Sequence, residues 1–225
     1  MSPTRLRGFL AGAALAAFLV GGAQAAPRIA SLDQCADQYV LALAPRDEIV
    51  SLSKRALDED SELRALARGL PERRATLESV LASRANLAVF YWTDDPRLPA
   101  ALRRRGVRVV QIEEATTFDG VAADIRKVAA GLGQPAKGAA LIARMDGELS
   151  ASRSAWGGAR ALYLTPGGFT AGDGTLMGAM LGAAGLRSAA KAPGYAPVSL
   201  ESLVMKPPSA LVLGFFRDLK GGRQH

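Results

Sequence analysis

Cysteine and histidine each occur once in this 225-residue chain, and each shortage closes off a chemistry. Cys35 has no partner for an internal disulfide. His225 is the last residue, so a Ser-His-Asp triad or a Cys-His pair would have to take its base from the chain end. Metal ligands would have to be carboxylates, and no D-x-D-x-D-G loop is present, so a directly bound transition metal is not expected. A metal held inside an organic chelator stays open, because such a ligand is recognised by its organic surface. Phosphate-cradling loops are missing too. The stretch Gly167–Gly174 lacks the Lys-Ser/Thr ending of a P-loop and does not match G-x-G-x-x-G, so its glycines are read as serving turns and close backbone approach. Basic residues exceed acidic ones by seven, yet no basic stripe carries interleaved aromatics, which argues against nucleic acid. The densest basic run, Arg103-Arg104-Arg105, falls at the end of a helical segment just before Gly106, where cations complement the helix dipole and face water.

Long apolar runs are scarce as well. One, Gly8 to Val20, follows Arg5 and Arg7 and precedes Gly21-Gly22 and the small-residue triplet Ala23-Gln24-Ala25. It is shorter than the ~20 residues of a spanning helix, so residues 1–25 read as a cleaved signal peptide, with an uncleaved anchor as the alternative. Cleavage removes two arginines and no acids, leaving 26 basic against 21 acidic residues. Cys35 lies well past the cut with Asp33 and Gln34 before it, so it is not the lipid-bearing first residue of a lipoprotein; it is expected to be a small buried hydrophobe. The expected compartment is the periplasm.

What the chain does have is alternation. Strands are predicted at 29–32, 49–52, 87–91 and 107–112, with helices at 35–44, 60–67, 77–82 and 98–105 between them. That order predicts an α/β fold with a parallel sheet in a first lobe over 26–117. From Phe118 to about Ser154 apolar residues keep helical spacing with no strand between, which predicts a long connecting helix that Gly131–Pro135 bends or divides. A second lobe over 155–225 follows, with strands at 161–165 and 210–215 and helices at 176–184 and 200–205. It echoes the first: Thr76-Leu77-Glu78-Ser79-Val80-Leu81 corresponds to Ser199-Leu200-Glu201-Ser202-Leu203-Val204 at an offset of 123.

In open parallel sheets ligands bind beyond the carboxyl ends of the strands. Those ends carry Asp33 and Gln34, then Lys54 and Arg55, then Tyr91 and Trp92. In the second lobe they carry Phe169 and Thr170, then Phe215, Phe216 and Arg217, and Tyr195 joins the same set. Aromatics at loop mouths suggest a wide apolar cleft with a few polar groups, and Lys54, Arg55 and Arg217 would favour an anionic ligand.

The run Arg28 to Asp37, the segment Glu48 to Ser53, the Leu77–Leu81 helix, the Gly106–Val110 strand, and Gly172–Leu176 followed by Ser199–Leu203 resemble the periplasmic substrate-binding proteins of ABC importers for iron-siderophore complexes and cobalamin. The resemblance implies two Rossmann-like lobes bridged by one rigid helix, and a monomer that is not an enzyme and needs no cofactor. It also implies an inner-membrane ABC permease as partner, with ferric siderophore, cobalamin or haem as ligand. Glu78 and Glu201 match the acidic residues that dock onto permease arginines. Family members continue past the last strand by one or two βα units, so the second lobe is expected to be incomplete. The alternatives are a non-binding remnant of the family and a two-lobed metal-cluster enzyme, which would need cysteine or histidine ligands scarce here.

Overall fold

The computed structural model describes residues 26–153 and 155–214. Residues 1–25, expected to be a signal peptide, and the candidate residues Phe215, Phe216 and Arg217 lie outside the described residues. The first half runs β1 (Ile29–Ser31), α1 (Gln34–Leu43), β2 (Ile49–Ser51), α2 (Arg64–Ala67), α3 (Leu77–Ala82), β3 (Leu87–Phe90), α4 (Leu98–Arg104), β4 (Arg108–Gln111) and α5 (Phe118–Gly131). Its four strands form one parallel sheet in the order β2-β1-β3-β4. β3 is buried along its whole length, which is why it reads as an unbroken apolar run. One face of the sheet packs Ile29, Leu87 and Val89 against α1 and α5; the other packs Ala30, Ala88 and Phe90 against α3 and α4. The alternation of side chains along each strand divides the two cores.

The second half continues with α6 (Pro135–Ser152), β5 (Arg160–Leu164), β6 (Phe169–Ala171), α7 (Leu176–Ala183), β7 (Arg187–Ser188), β8 (Tyr195–Pro197), α8 (Leu200–Met205) and β9 (Ala210–Leu213). β7-β5-β9 make a second parallel sheet, and β6 pairs antiparallel with β8. The echo holds in three dimensions. α3 starts on Thr76, whose hydroxyl accepts from the Ser79 N–H at 3.2 Å, and α8 starts on Ser199, whose hydroxyl accepts from the Ser202 N–H at 3.1 Å. Each helix leads to the strand, β3 or β9, that pairs with the first strand of its own sheet.

Two expectations differ from what is found. The helix expected over 60–67 shrinks to α2, because Ser53 to Leu63 runs as successive turns closed by short-range bonds such as Ser61 N–H to Asp58 C=O. The connector over 118–154, read from the sequence as bent or divided at Gly131–Pro135, is two helices. Pro135 cannot continue the hydrogen-bond ladder and Gly133 turns at φ +70°, so α5 ends and α6 restarts beside it. α5 lays Val128 and Ala129 into the first lobe's core, which leaves α6, 18 residues and about 27 Å long, to run on to the second sheet. Gly138 on α6 permits the close approach, since a Cβ there would sit 2.5 Å from the Ala129 methyl. The β6–β8 ribbon and β7 were not expected; runs of two or three residues carry too little periodicity to be seen.

Candidate functional site

The carboxyl ends of β1, β2 and β3 open into a cavity of about 740 Å³. Asp33, Gln34, Lys54, Arg55, Tyr91 and Trp92 all line it, so the structure brings together every first-lobe residue expected at the site. Trp92 is 61 % exposed.

The end of β1 organises the rest. Asp33 caps α1 by accepting from the Ala36 N–H at 3.0 Å through one carboxylate oxygen. The other oxygen accepts from the N–H groups of Tyr91, at 2.6 Å, and Trp92, at 3.2 Å. Its charge is therefore spent on backbone donors, and it fixes where the two aromatic side chains leave β3. One turn later, the fully buried Asp37 accepts from the Ser53 N–H at 3.0 Å and the Ser53 hydroxyl at 2.6 Å. That ties the end of β2, and hence Lys54 and Arg55, to the same helix. Burial pushes the Asp37 carboxyl up from its ordinary range, against the pull of its bonds to Ser31 and Ser53.

Arg55 does not reach into the cavity alone. It binds Asp58 at 2.9 Å and Asp60 at 3.1 Å, and Asp60 also accepts from the Gln34 amide at 2.7 Å. Two further cations, Arg73 and Arg74, line the cavity and were not singled out in the sequence. They arrive because Pro71–Arg73 runs beside the end of β2. Leu52 N–H donates to the Pro71 carbonyl at 2.8 Å, and Arg73 N–H donates to the Leu52 carbonyl at 2.9 Å. The available signal was position: both lie just before the Thr76 cap of the echoed helix.

Cys35 corrects an expectation. It is exposed and lines the cavity, because it sits in the first turn of α1, where the helix has just emerged from the sheet edge. Burial by its neighbours, then the Asp33 charge, pushes its thiol up, with Arg55 opposing, so it is held as a thiol and not a thiolate.

The second lobe contributes differently from expectation. Every residue lining the cavity belongs to the first lobe. Tyr195, 66 % exposed, comes near enough for its charge to help raise the Tyr91 phenol, after burial and the carboxylates of Glu114 and Asp33 among others. Phe169 is half exposed and is not part of the cavity lining. Thr170, its neighbour on β6, points the opposite way by strand alternation. It is buried, its hydroxyl has no partner, and it lines a separate space of about 210 Å³ within the second lobe. Thr170 therefore does not meet the first-lobe residues. Glu78 and Glu201 are exposed at equivalent places in the first turns of α3 and α8. Among the described residues no group of three or more His, Cys, Asp or Glu could hold a metal ion, and no helix is long and apolar enough to cross a membrane.

The described residues thus form two α/β lobes on a helical connector, with a cavity at the strand tips of the first. A family model described as periplasmic binding protein matches residues 29–214, and the chain belongs to that family, one of solute-binding proteins and not of enzymes. A cobalamin-binding protein of Halobacterium salinarum is 28 % identical over 202 residues, covering 85 % of this chain and 54 % of its own. The chain thus spans about half the length of the curated relatives it matches. Among solved structures, the periplasmic heme-binding protein RhuT from Roseiflexus sp. RS-1 superposes with a TM-score of 0.68 at 25 % identity, covering 84 % of this chain and 76 % of that one. The periplasmic vitamin B12 binding protein BtuF of Vibrio cholerae does so with a TM-score of 0.59 at 21 % identity, covering 84 % and 76 %; it shares the fold.

Proposed function

We propose that this chain is the solute-capturing component of an ABC importer, working in the periplasm as a monomer and handing a bulky anionic chelate, foremost a ferric siderophore, to an inner-membrane permease. One observation carries the reading. The cavity at the strand ends sets Lys54, Arg55, Arg73 and Arg74 beside Tyr91 and Trp92, while one of its two carboxylates, Asp33, is engaged by backbone N–H groups. Cations around a ring-lined cavity suit a ligand with an apolar body and anionic rim. Haem, with its two carboxylates, fits the same description. Cobalamin, whose rim is mostly neutral amides, would leave the cations without partners, although the curated relatives carry that name. Glu78 and Glu201, exposed on the two echoed helices, are the proposed contacts to permease arginines, giving orientation and encounter rate more than affinity.

The test is a tryptophan-fluorescence titration of the exported chain with a ferric siderophore, haem and cobalamin in parallel. The expected result is quenching by the anionic chelate, lost in Trp92→Phe, which keeps Trp156. The paired variant Arg73→Gln/Arg74→Gln should weaken binding by about 10- to 100-fold, from charge-assisted bonds worth roughly 1.5–3 kcal/mol. Silence with all three would favour the non-binding remnant, and tight cobalamin binding unaffected by the arginine changes would overturn the anionic reading.

A further inference from the structure

The second lobe holds a space that cargo capture does not use, the cavity of about 210 Å³ between β5, the β6–β8 ribbon and α8. Leu162 and Thr170 are buried at its floor, Leu203 of α8 forms an apolar wall, and the exposed Arg160, Lys191 and Lys206 stand at its rim. Thr170 is 3 % exposed, and its hydroxyl has no hydrogen-bond partner among the described residues. Valine has nearly the same shape and would fill the position without that hydroxyl, so threonine destabilises the empty lobe unless something entering the cavity bonds to it. The neighbouring hydroxyls are already engaged. Ser202 accepts from the Lys191 ammonium at 3.1 Å, and Ser199 accepts from the Ser202 N–H at 3.1 Å while donating to the Glu201 carboxylate at 3.0 Å. At the rim the positive charge is unopposed. The ion pairs seen among the described residues lie elsewhere, at Arg55, Lys127 and Arg144, and Glu201 shares a neighbouring hollow with Lys191 and Lys206 without pairing with either.

We propose that this cavity is a second binding site, for a small hydroxy-carboxylate whose carboxylate sits among the rim cations, whose apolar body lies against Leu162 and Leu203, and whose hydroxyl meets Thr170. Size sets the scale. At ~30 Å³ per water the space takes about seven waters, short of the ~300–1,000 Å³ of a drug-sized site, so the occupant has about ten non-hydrogen atoms and is not the bulky cargo. Charge sets the sign, since three cations repel an amine and leave a neutral ligand without its strongest bonds. Inorganic phosphate would satisfy the rim but leave the apolar wall and the Thr170 hydroxyl as they are. A ligand with polar groups at both ends and a ring or short chain between them satisfies all three parts. No residue of α8 is buried, so an occupant held between Leu203 and the ribbon would brace the helix that carries Glu201. The site rests on its own observations, and only this bracing touches the docking role proposed for Glu201.

The experiment is an amide-resolved NMR titration of the chain with para-hydroxybenzoate, benzoate, para-hydroxybenzamide and inorganic phosphate in parallel. Para-hydroxybenzoate should shift signals of the β6–β8 ribbon and α8, and should bind roughly 3- to 10-fold tighter than benzoate, the span of one neutral hydrogen bond. The neutral amide and phosphate should each bind at least ~10-fold more weakly than para-hydroxybenzoate. Thr170→Val should bring the two benzoates to one affinity without lowering the urea midpoint. Lys191→Gln/Lys206→Gln should weaken para-hydroxybenzoate by about 10- to 100-fold. Circular dichroism of both variants establishes that they are folded. No shift with either benzoate, a para-hydroxybenzoate advantage that survives Thr170→Val, or phosphate bound as tightly as para-hydroxybenzoate would each overturn the proposal. So would shifts confined to the surroundings of Trp92 and lost in Arg73→Gln/Arg74→Gln, which would place the ligand in the cargo cavity instead.

Discussion

Asp33 offers the sharpest test of how the site is built, because its two oxygens do separable work. Asp33→Ala removes the α1 cap, worth about 1 kcal/mol, together with the charge-assisted bonds to Tyr91 and Trp92 N–H, worth roughly 1.5–3 kcal/mol. The sum is about 2.5–4 kcal/mol. Asp33→Asn keeps a carbonyl oxygen for the Ala36 N–H but turns an NH₂ group toward two N–H donors. It should retain the capping part and lose the part at the end of β3, so its cost should fall between wild type and Asp33→Ala. Urea unfolding followed by circular dichroism reads both, with the midpoint shifting at constant slope. Ligand titration of the folded Asp33→Asn protein should show weaker binding, because Trp92 is no longer held at the mouth. An alanine variant within 0.5 kcal/mol of wild type, on the order of an ordinary surface substitution, would refute the reasoning. So would an asparagine variant indistinguishable from wild type in both assays.

Asp37 should make stability pH-dependent. Its folded carboxyl is raised by burial, so its contribution is fully present below the ordinary carboxylate value and is lost as pH rises through the folded one. Wild type should therefore gain on Asp37→Asn as pH falls from 7 toward about 4, and parallel urea midpoints across that range would contradict this. Gly138→Ala should destabilise the α5–α6 contact by roughly 1–3 kcal/mol, since its Cβ would fall 2.5 Å from the Ala129 methyl, and Ala129→Gly in the same chain should restore most of it; additive effects in a double-mutant cycle would count against direct contact. Glu78→Lys/Glu201→Lys should abolish uptake into cells while leaving the fluorescence titration unchanged, and undiminished uptake would remove the docking role.

The first lobe was legible because its signals are long-range repeats of one pattern. β3 shows as four consecutive apolar residues, and α1 and α4 show helical periodicity ended by Pro45 and Gly106. Asp33 was identified by its place after a strand, but its task was not visible, since a carboxylate that binds ligand and one that binds backbone N–H look alike in one dimension. Arg73 and Arg74 were hidden for a related reason. A bridge between Leu52 and Glu72 brings them to the cavity, and two hydrogen bonds leave no periodicity to read. Thr170 was placed wrongly because β6 was taken for loop, and without a strand there was no alternation to turn it inward.

The placing of Asp33 and Asp37 four residues apart on one helix explains why the cavity can be both cationic and well defined. Residues at i and i+4 share a helix face, and here they brace opposite neighbours of β1, the end of β3 through Asp33 and the end of β2 through Asp37. The loops so held carry Tyr91 and Trp92 on one side and Lys54 and Arg55 on the other. Holding cationic and aromatic side chains apart before the ligand arrives lowers the ordering cost of binding. It also keeps the negative charge that does the holding occupied by backbone and hydroxyl donors, where it offers an incoming anion little repulsion. A site assembled from these residues without α1 would have to order both loops on binding, and its selectivity would then rest on flexible cations alone.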